Sequence, residues 1–568
     1  MLKHISIRSL TFAHISLTCV GLMWVLPFLY YQHAYPLTTF YQEWGAALLS
    51  LCALPVLLNK SCGTRMAFPS VVLLPLGMIV LLLLQYLSGK LPSFEQALLF
   101  GSYFLWMALL MLLGQRLREA LGFAQVALVL AVFLVLGAEL SALAGILQHY
   151  RWHTFLSSVV TVKTASAVYG NIAQPNHFAD YLALGLVSIG LLYARYSLRV
   201  WHMVLLVSPL LFVTVLSGSR SAWFYFLFVA AMSYLWQRRD DAYLPLFKYA
   251  LALLLGFAAM HFVVQLPWLD GYGGHVTTVE RMFGAPGSGG IRLHLWQEAW
   301  LIFVKFPWLG SGFGQFAWQH FQMAAELQNP GIVGLYNNAH NLVMQLAAET
   351  GVAGLALCSG VFGLWWWRGR HEPRTLYQWW GYGVLAVLGL HSMLEYPLWY
   401  GYFIAIAAVV LGLMENKAYC FKLGDIGRFW LALLLLFATL SLFQLFQGYK
   451  KLEAALRPVS GGGAAYVQHL QTGFEEASEY VLLRPYAELF MTGMIEPGTD
   501  HLAEKLALNE RALHFIPTAS LAYRQVWLLA GAGRLPEAMV QLHNALWSYP
   551  AEFRAAQAEL ARFATKDP

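Results

Sequence analysis

Charge is what this sequence has least of. Only 11% of its 568 residues are Asp, Glu, Lys or Arg while 59% are hydrophobic, a balance that rules out an ordinary soluble enzyme of this length. The bilayer is therefore its expected solvent. Cysteine is scarce as well: Cys19, Cys52, Cys62, Cys358 and Cys420 form neither a CxxC pair nor a metal-ligand spacing, and none follows residue 420. No disulfide framework, metal site or cofactor is indicated. The Gly-rich KFPWLGSGFGQF lacks the spacing and the lysine of a phosphate loop, which argues against an ATPase. Nor do Asp270 and Glu280, both in one loop, resemble the paired carboxylates of a glycoside hydrolase. The net charge of +6 does not point to nucleic acid, because Lys and Arg stand mostly in pairs at the ends of apolar runs.

What the chain has in abundance is apolar segments of spanning length. They lie near 11 to 32, 45 to 59, 68 to 87, 98 to 115, 122 to 147, 176 to 194, 200 to 217, 221 to 236 and 247 to 266. Others lie near 339 to 366, 376 to 392, 397 to 414 and 429 to 446, about thirteen helices by the length rule. MLKHISIR opens a run long enough to span and is followed by no small-residue cleavage site, so it reads as the first membrane helix rather than a signal peptide. Lys3 and Arg8, Lys60 and Arg65, Arg116 and Arg118, and Arg195 and Arg199 fall in alternate connections. Arg238, Arg239 and Lys248, then Arg368, Arg370 and Arg374, then Lys417, Lys422 and Arg428 keep the same phase. Those loops are expected in the cytoplasm, which puts the segment 267 to 338 and everything after about 447 in the periplasm of a bacterial inner-membrane protein.

The last stretch has ordinary charge and helical periodicity, and LAYRQVWLLAGAGRLPEAMVQLHNALWSYP resembles one tetratricopeptide-type helix pair turning at Gly533 and ending at Pro550. The expected fold is all-α: a polytopic, GT-C-like membrane protein with a C-terminal periplasmic domain of helical hairpins. Its expected divisions are 1–170, 171–446 and 447–568.

Polar groups are costly in a bilayer, so their placement carries the functional signal. Four clusters stand out. YGNIAQPNHFADYL has Pro175 where a helix start tolerates it, and Gln174, His177 and Tyr181 spaced to share one face, with Asn176 between them. SGSRSAW sets Arg220 in a short turn, where snorkelling to the interface is the plain alternative to function. YNNAHNLVMQLAAETG places Asn337, His340, Asn341, Gln345 and Glu349 on what reads as one helical stripe facing an interior or wet cavity. HSMLEYPLWY carries His391, Glu395, Tyr396 and Tyr400 around Pro397, and an aromatic belt accounts for its Tyr and Trp but not for Glu395. In the topology above, all four lie where helices enter from the outer side, so helix N-termini would draw anions there. The outer segment adds Arg281 and the Arg292 of IRLHLWQEAW.

Arginines such as Arg220 and Arg292 can hold a diphosphate without a metal, while a neutral His340 can accept a proton from an attacking hydroxyl. Glycosyl transfer from a polyprenyl diphosphate suits that set, because the leaving diphosphate gains charge as its bond to the sugar breaks. A lone membrane histidine is more often a packing partner. The stripe favours function for His340, whereas His177 and His391 read as packing or substrate contacts.

At these motifs the chain resembles the O-antigen ligase and polymerase superfamily, and more closely the PglL-type protein O-oligosaccharyltransferases that glycosylate pilins. The resemblance runs from GNIAQPNHFADYL through SGSR, IRLHLWQEAW, PWLGSGFGQF and NNAHNLVMQLAAETG to HSMLEYPLWY and the tail. It implies that His340 activates or positions the acceptor hydroxyl, that Gln174 and Tyr396 take part, and that Arg220 and Arg292 contact the lipid diphosphate. It also implies an undecaprenyl diphosphate-linked oligosaccharide as donor, a pilin or other exported protein as acceptor, and no metal. Asn176, His177, Asn341, Glu395 and Arg281 complete the expected substrate-binding set. QPNH departs from the family's QRN, so the charge of that arginine is missing at Pro175. Two other readings stay open: an O-antigen ligase or polymerase with a glycan acceptor, and a lipid-linked glycan transporter, against which the absence of an internal repeat counts.

Overall fold

The computed structural model describes residues 12–59, 65–152, 154–271, 288–415, 418–457, 463–495, 498 and 500–564. Among them, nine helices are long and apolar enough to cross a membrane: Phe12–Leu29, Phe40–Leu58, Ser70–Leu87, Phe94–Leu121, Phe123–Tyr150, Pro175–Tyr196, Asp241–Val263, Leu342–Gly369 and Asp425–Ala455. Val200–Leu216 and Gly401–Met414 are apolar but shorter. Ser221–Gln237 and Leu376–Ser392 occupy two more of the expected segments. The chain is a multi-pass membrane protein. Arg281 and Glu280 lie outside the described residues, as do Lys3, Arg8, Lys60 and Lys417.

The chain divides into two compact units. The first comprises Met1–Pro75, Trp106–Pro286 and Val361–Leu442. With no hydrophobic force between helices in lipid, its packing rests on small residues and interhelical hydrogen bonds. A Cβ on Gly185 would lie 2.3 Å from that of Ala138, so the helices Phe123–Tyr150 and Pro175–Tyr196 approach to a distance that only glycine allows. Trp379 and Trp380 donate their indole N–H groups to Ser233 (2.9 Å) and Ser188 (3.0 Å).

At one end of this unit the basic loops meet. Arg65–Phe68 pairs antiparallel with Tyr419–Lys422, Arg65 opposite Lys422, a small ladder that the all-helical expectation lacked. Arg116 donates to the Asn59 carbonyl, Arg118 to that of Leu413 and Arg428 to that of Leu58, each at 2.8 Å. Arg374 reaches the Leu235 carbonyl at 3.1 Å, and Arg368 lies 3.5 Å from Glu415. These loops thus share an end, and Arg116, Arg118, Arg374 and Arg428 satisfy carbonyls that helix termini leave open. The other end gathers different loops: His33 meets the Asn171 carbonyl at 2.7 Å, Thr161 donates to that of Tyr31 at 2.9 Å, and Glu43 accepts from the Gly401 N–H at 2.8 and 3.0 Å.

The second unit comprises Leu76–Leu105, Gly287–Gly360 and Phe443–Pro568. Its first core joins the helices Ser288–Lys305 and Phe316–Leu327 to the loop before Leu342, through Leu295, Ala299, Ile302, Phe316, Ile332, Ala339 and Ala348. Its second core seats Phe321 among Leu513, Leu521, Ala522, Tyr523, Ala545 and Tyr549 of the tail. The helices Ala519–Gly531 and Leu535–Ser548 form the expected hairpin, with Gly533 at φ +73° in its turn.

Candidate functional site

In the first unit, the structure brings three of the four polar clusters together at the end opposite the basic loops. Gln174 caps the helix Pro175–Tyr196 and its side chain accepts from the His177 N–H at 2.5 Å, with Pro175 at the first helical position. Asn176 donates to Glu395 at 2.8 Å, which ties QPNH to EYP. His177 is buried, its Nδ1 3.1 Å from His391 Nε2, and His391 Nδ1 in turn lies 2.7 Å from the Tyr225 hydroxyl. The rings of Tyr396 and Tyr400 stand edge-on to His177 at 5.7 and 5.0 Å. Tyr225 is one turn into the helix Ser221–Gln237 that Arg220 begins, so the SGSR turn closes onto the same group of helix ends. Gly218 at φ +65° makes that turn, and Val168 N–H donates to the Leu216 carbonyl at 3.1 Å.

Several motif residues prove to be braces. The Gln148 amide, unremarked in the sequence, accepts from Tyr169 N–H and Gly170 N–H at 3.0 and 3.1 Å and donates to the Thr161 carbonyl at 2.8 Å. Asn171 holds Leu29 and Val159 carbonyls, both at 2.8 Å. Tyr181 is fully buried, donates to the Trp24 carbonyl at 2.7 Å and stacks on Phe28. Glu43, also missed, caps the helix that follows EYPLW.

The fourth cluster belongs to the second unit, and its form corrects the expected stripe. The helix begins at Leu342, so Asn337, His340 and Asn341 precede it, while Gln345 and Glu349 lie inside it. Asparagine chemistry sets the break. Asn338 Oδ1 accepts from His340 N–H at 2.7 Å, and Asn341 Oδ1 accepts from Val343 and Met344 N–H, both at 3.1 Å. His340 itself is half-buried at φ +52°, a left-handed conformation that is unfavourable for a residue with a Cβ. Gln345 Oε1 accepts from Ala339 N–H at 2.7 Å, and its amide donates to Glu349 at 2.9 Å. Glu349 also accepts from Phe316 N–H at 3.2 Å, so the two fully buried side chains support the loop rather than line a cavity.

The Gly-rich turn has a structural task in the same unit. Gly310 (φ +71°) and Gly351 (φ +61°) face each other, and a Cβ on Gly351 would lie 2.6 Å from Gly310 N and from the Pro307 carbonyl oxygen. Gln85 clamps this contact, donating to the Leu309 and Glu349 carbonyls at 2.7 and 2.8 Å and accepting from Phe313 N–H at 3.0 Å. Arg292 is half-buried on Ser288–Lys305, next to Ile291, which packs in the core that also holds Ala339. Arg292 and His340 thus belong to elements that share one core.

No group of three or more His, Cys, Asp and Glu residues fit to hold a metal occurs among the described residues. Helix N-termini lie at Pro175, Ser221 and Gly401 in the first unit and at Leu342 in the second.

Comparison with known proteins bears on these same segments. The family described as "Protein glycosylation ligase" matches residues 168–193, "O-Antigen ligase" matches 203–359, and "Virulence factor membrane-bound polymerase, C-terminal" matches 379–562. Over 429 residues, 72% of this chain and 71% of the relative, the sequence is 27% identical to the "General O-oligosaccharyltransferase" of Acinetobacter baylyi. From the QPNH helix through the HN loop to the tail, the chain is thus similar to O-antigen ligases and, at the QPNH helix itself, to protein glycosylation ligases.

Proposed function

We propose that the protein transfers an oligosaccharide en bloc from undecaprenyl diphosphate to Ser or Thr hydroxyls of pilins or other exported proteins. The observation that carries the reading is His340, held at φ +52° by an asparagine turn at the N-terminus of a membrane helix. That geometry holds a half-buried imidazole in a strained, fixed loop, as a reacting group requires. The match of residues 168–193 to the family described as "Protein glycosylation ligase" supports protein as the acceptor.

In this reading the neutral His340 accepts the proton of the attacking hydroxyl as its oxygen bonds to the sugar's anomeric carbon. The bond from that carbon to the diphosphate breaks, and the lipid diphosphate leaves with the electron pair. Arg220 and Arg292 are its proposed cations, worth more as that charge develops than before it. Arg281 is assigned to the same substrate. Gln174, Asn176, His177, Glu395 and Tyr396 form the proposed substrate contacts of the QPNH and EYP end, and Asn341 fixes the loop. One displacement from the opposite face inverts the anomeric configuration. The reaction needs no metal, and it takes place on the periplasmic side of the inner membrane, with the N-terminus in the cytoplasm and the tail from about 447 in the periplasm.

Purified protein should glycosylate a pilin from an undecaprenyl diphosphate oligosaccharide in the presence of a chelator. His340→Ala and Arg292→Ala should each lose at least about 100-fold in rate, the scale of removing a proton acceptor or a charge-stabilising donor. Normal transfer by His340→Ala would overturn the role given to His340, and no transfer by the wild-type protein would favour a lipid-linked glycan transporter instead. The ligase and polymerase descriptions that match 203–359 and 379–562 support a second reading, a glycan acceptor at the same membrane site.

A further inference from the structure

IRLHLWQEAW contains a carboxylate with no part in the chemistry above, and it opens a chain of contacts that ends in the tail. Glu298 lies on Ser288–Lys305, the helix of Arg292, with its Oε2 2.7 Å from His320 Nδ1. Each of these side chains is 4% exposed. His320 Nε2 lies 3.2 Å from the Gly334 carbonyl oxygen, and the Gly334 N–H donates to the Ser548 carbonyl at 2.8 Å. Gly334 sits at φ +110°, six residues before His340 in the same loop. A second tether is close by, where Asn544 accepts from the Ala325 N–H at 3.1 Å.

Both ring nitrogens of His320 face oxygen. A neutral imidazole carries one N–H, so making both bonds requires a second proton between Nδ1 and Glu298, and the pair is then neutral overall. Such a pair is stable in a dry setting while complete, and costly when either partner is removed.

We propose that Glu298 and His320 are positioning residues for the transfer reaction, and that the tail acts through them to hold the loop of His340 in register with the helix of Arg292. The proposal rests on the roles given to His340 and Arg292 above. It makes the tail part of the site's framework and not only an appendage.

The test uses the full-length protein and two readouts, hydrogen–deuterium exchange over 334–341 and the kinetics of transfer to a pilin. Glu298→Gln can donate its amide to His320 Nδ1 and keep both bonds, whereas Glu298→Leu fills similar space, removes the Nδ1 partner and no longer fixes the ring or the tautomer that donates to Gly334. Glu298→Leu should speed exchange over the loop and lower kcat about 10- to 100-fold with KM little changed, the scale of a small misplacement of a reacting group. Glu298→Gln should stay close to wild type in both. Asn544→Ala, in the tail, should also speed exchange over 334–341, and it reads the tether even if Glu298→Leu does not fold. Equal behaviour of the Leu and Gln variants, with His340→Ala inactive, would overturn the proposal and leave the transfer reading standing. Unchanged exchange in Asn544→Ala would overturn the tail's part. Faster exchange in Glu298→Leu alongside an active His340→Ala would instead overturn the role of His340, and with it the purpose assigned to the pair.

Discussion

His340 shows how a single residue can be legible in kind and hidden in conformation. Its place in NNAHN marks it, because a histidine among asparagines at the mouth of an apolar run has little reason to be there for packing. Its left-handed backbone could not be read, since periodicity continues the helix back through residue 337 while Asn338 and Asn341 side chains break it. A consequence is measurable. At φ +52° glycine is favoured over alanine by about 1 kcal/mol, so His340→Gly should unfold at a higher temperature than His340→Ala while both are inactive in transfer. Equal unfolding temperatures would mean that the loop relaxes and holds no strain. Gln148, Asn171, Glu43 and Gln85 were illegible for another reason. Each satisfies backbone groups beyond its own element, from 13 to 22 residues away for Gln148 to 224 to 264 for Gln85, and no local pattern announces such a partner.

At the scale of elements, each apolar run carries a helix, because hydropathy over about twenty residues is a strong signal. Arg116, Arg118, Arg374 and Arg428, of the loops that the paired charges marked, make contacts at one shared end. The glycine-rich turn was legible only as something that is not a phosphate loop. Its purpose is the close approach of Gly310 to Gly351, which requires both chain segments. Gly351→Ala should cost about 2 kcal/mol or more through the forced φ and the backbone clash, seen as a lower unfolding temperature; an unchanged one would show that the contact yields freely. Trp318, on Phe316–Leu327, stacks on His514 of the tail at 3.9 Å, and burial pushes the His514 imidazole down to about 4. The unfolded chain, with an ordinary histidine near 6.5, then binds a proton that the folded one refuses. Stability therefore rises with pH between about 4 and 6.5 and is lost as pH falls through that window. His514→Gln should flatten the dependence in unfolding followed by tryptophan fluorescence, and an unaltered slope would place the acid sensitivity elsewhere.

For the whole molecule, composition and hydropathy sufficed to give a multi-pass membrane protein, and motif resemblance pointed to the same families that the comparisons match. Three of the four polar clusters meet at one end of a compact unit, while the fourth, expected beside them, belongs to the second unit. The division of the chain was harder to foresee. Leu76–Leu105 and Gly287–Gly360 group with the tail rather than with their sequence neighbours, because long-range contacts such as those of Gln85 and Ser548 decide it. The central claim concerns the acceptor. The most direct test offers purified wild-type protein one undecaprenyl diphosphate oligosaccharide together with a pilin and a lipid A core, and weighs both acceptors by mass spectrometry. The account predicts the mass of one whole oligosaccharide on a Ser or Thr of the pilin, lost in His340→Ala. Transfer to the lipid A core with the pilin unmodified would contradict it.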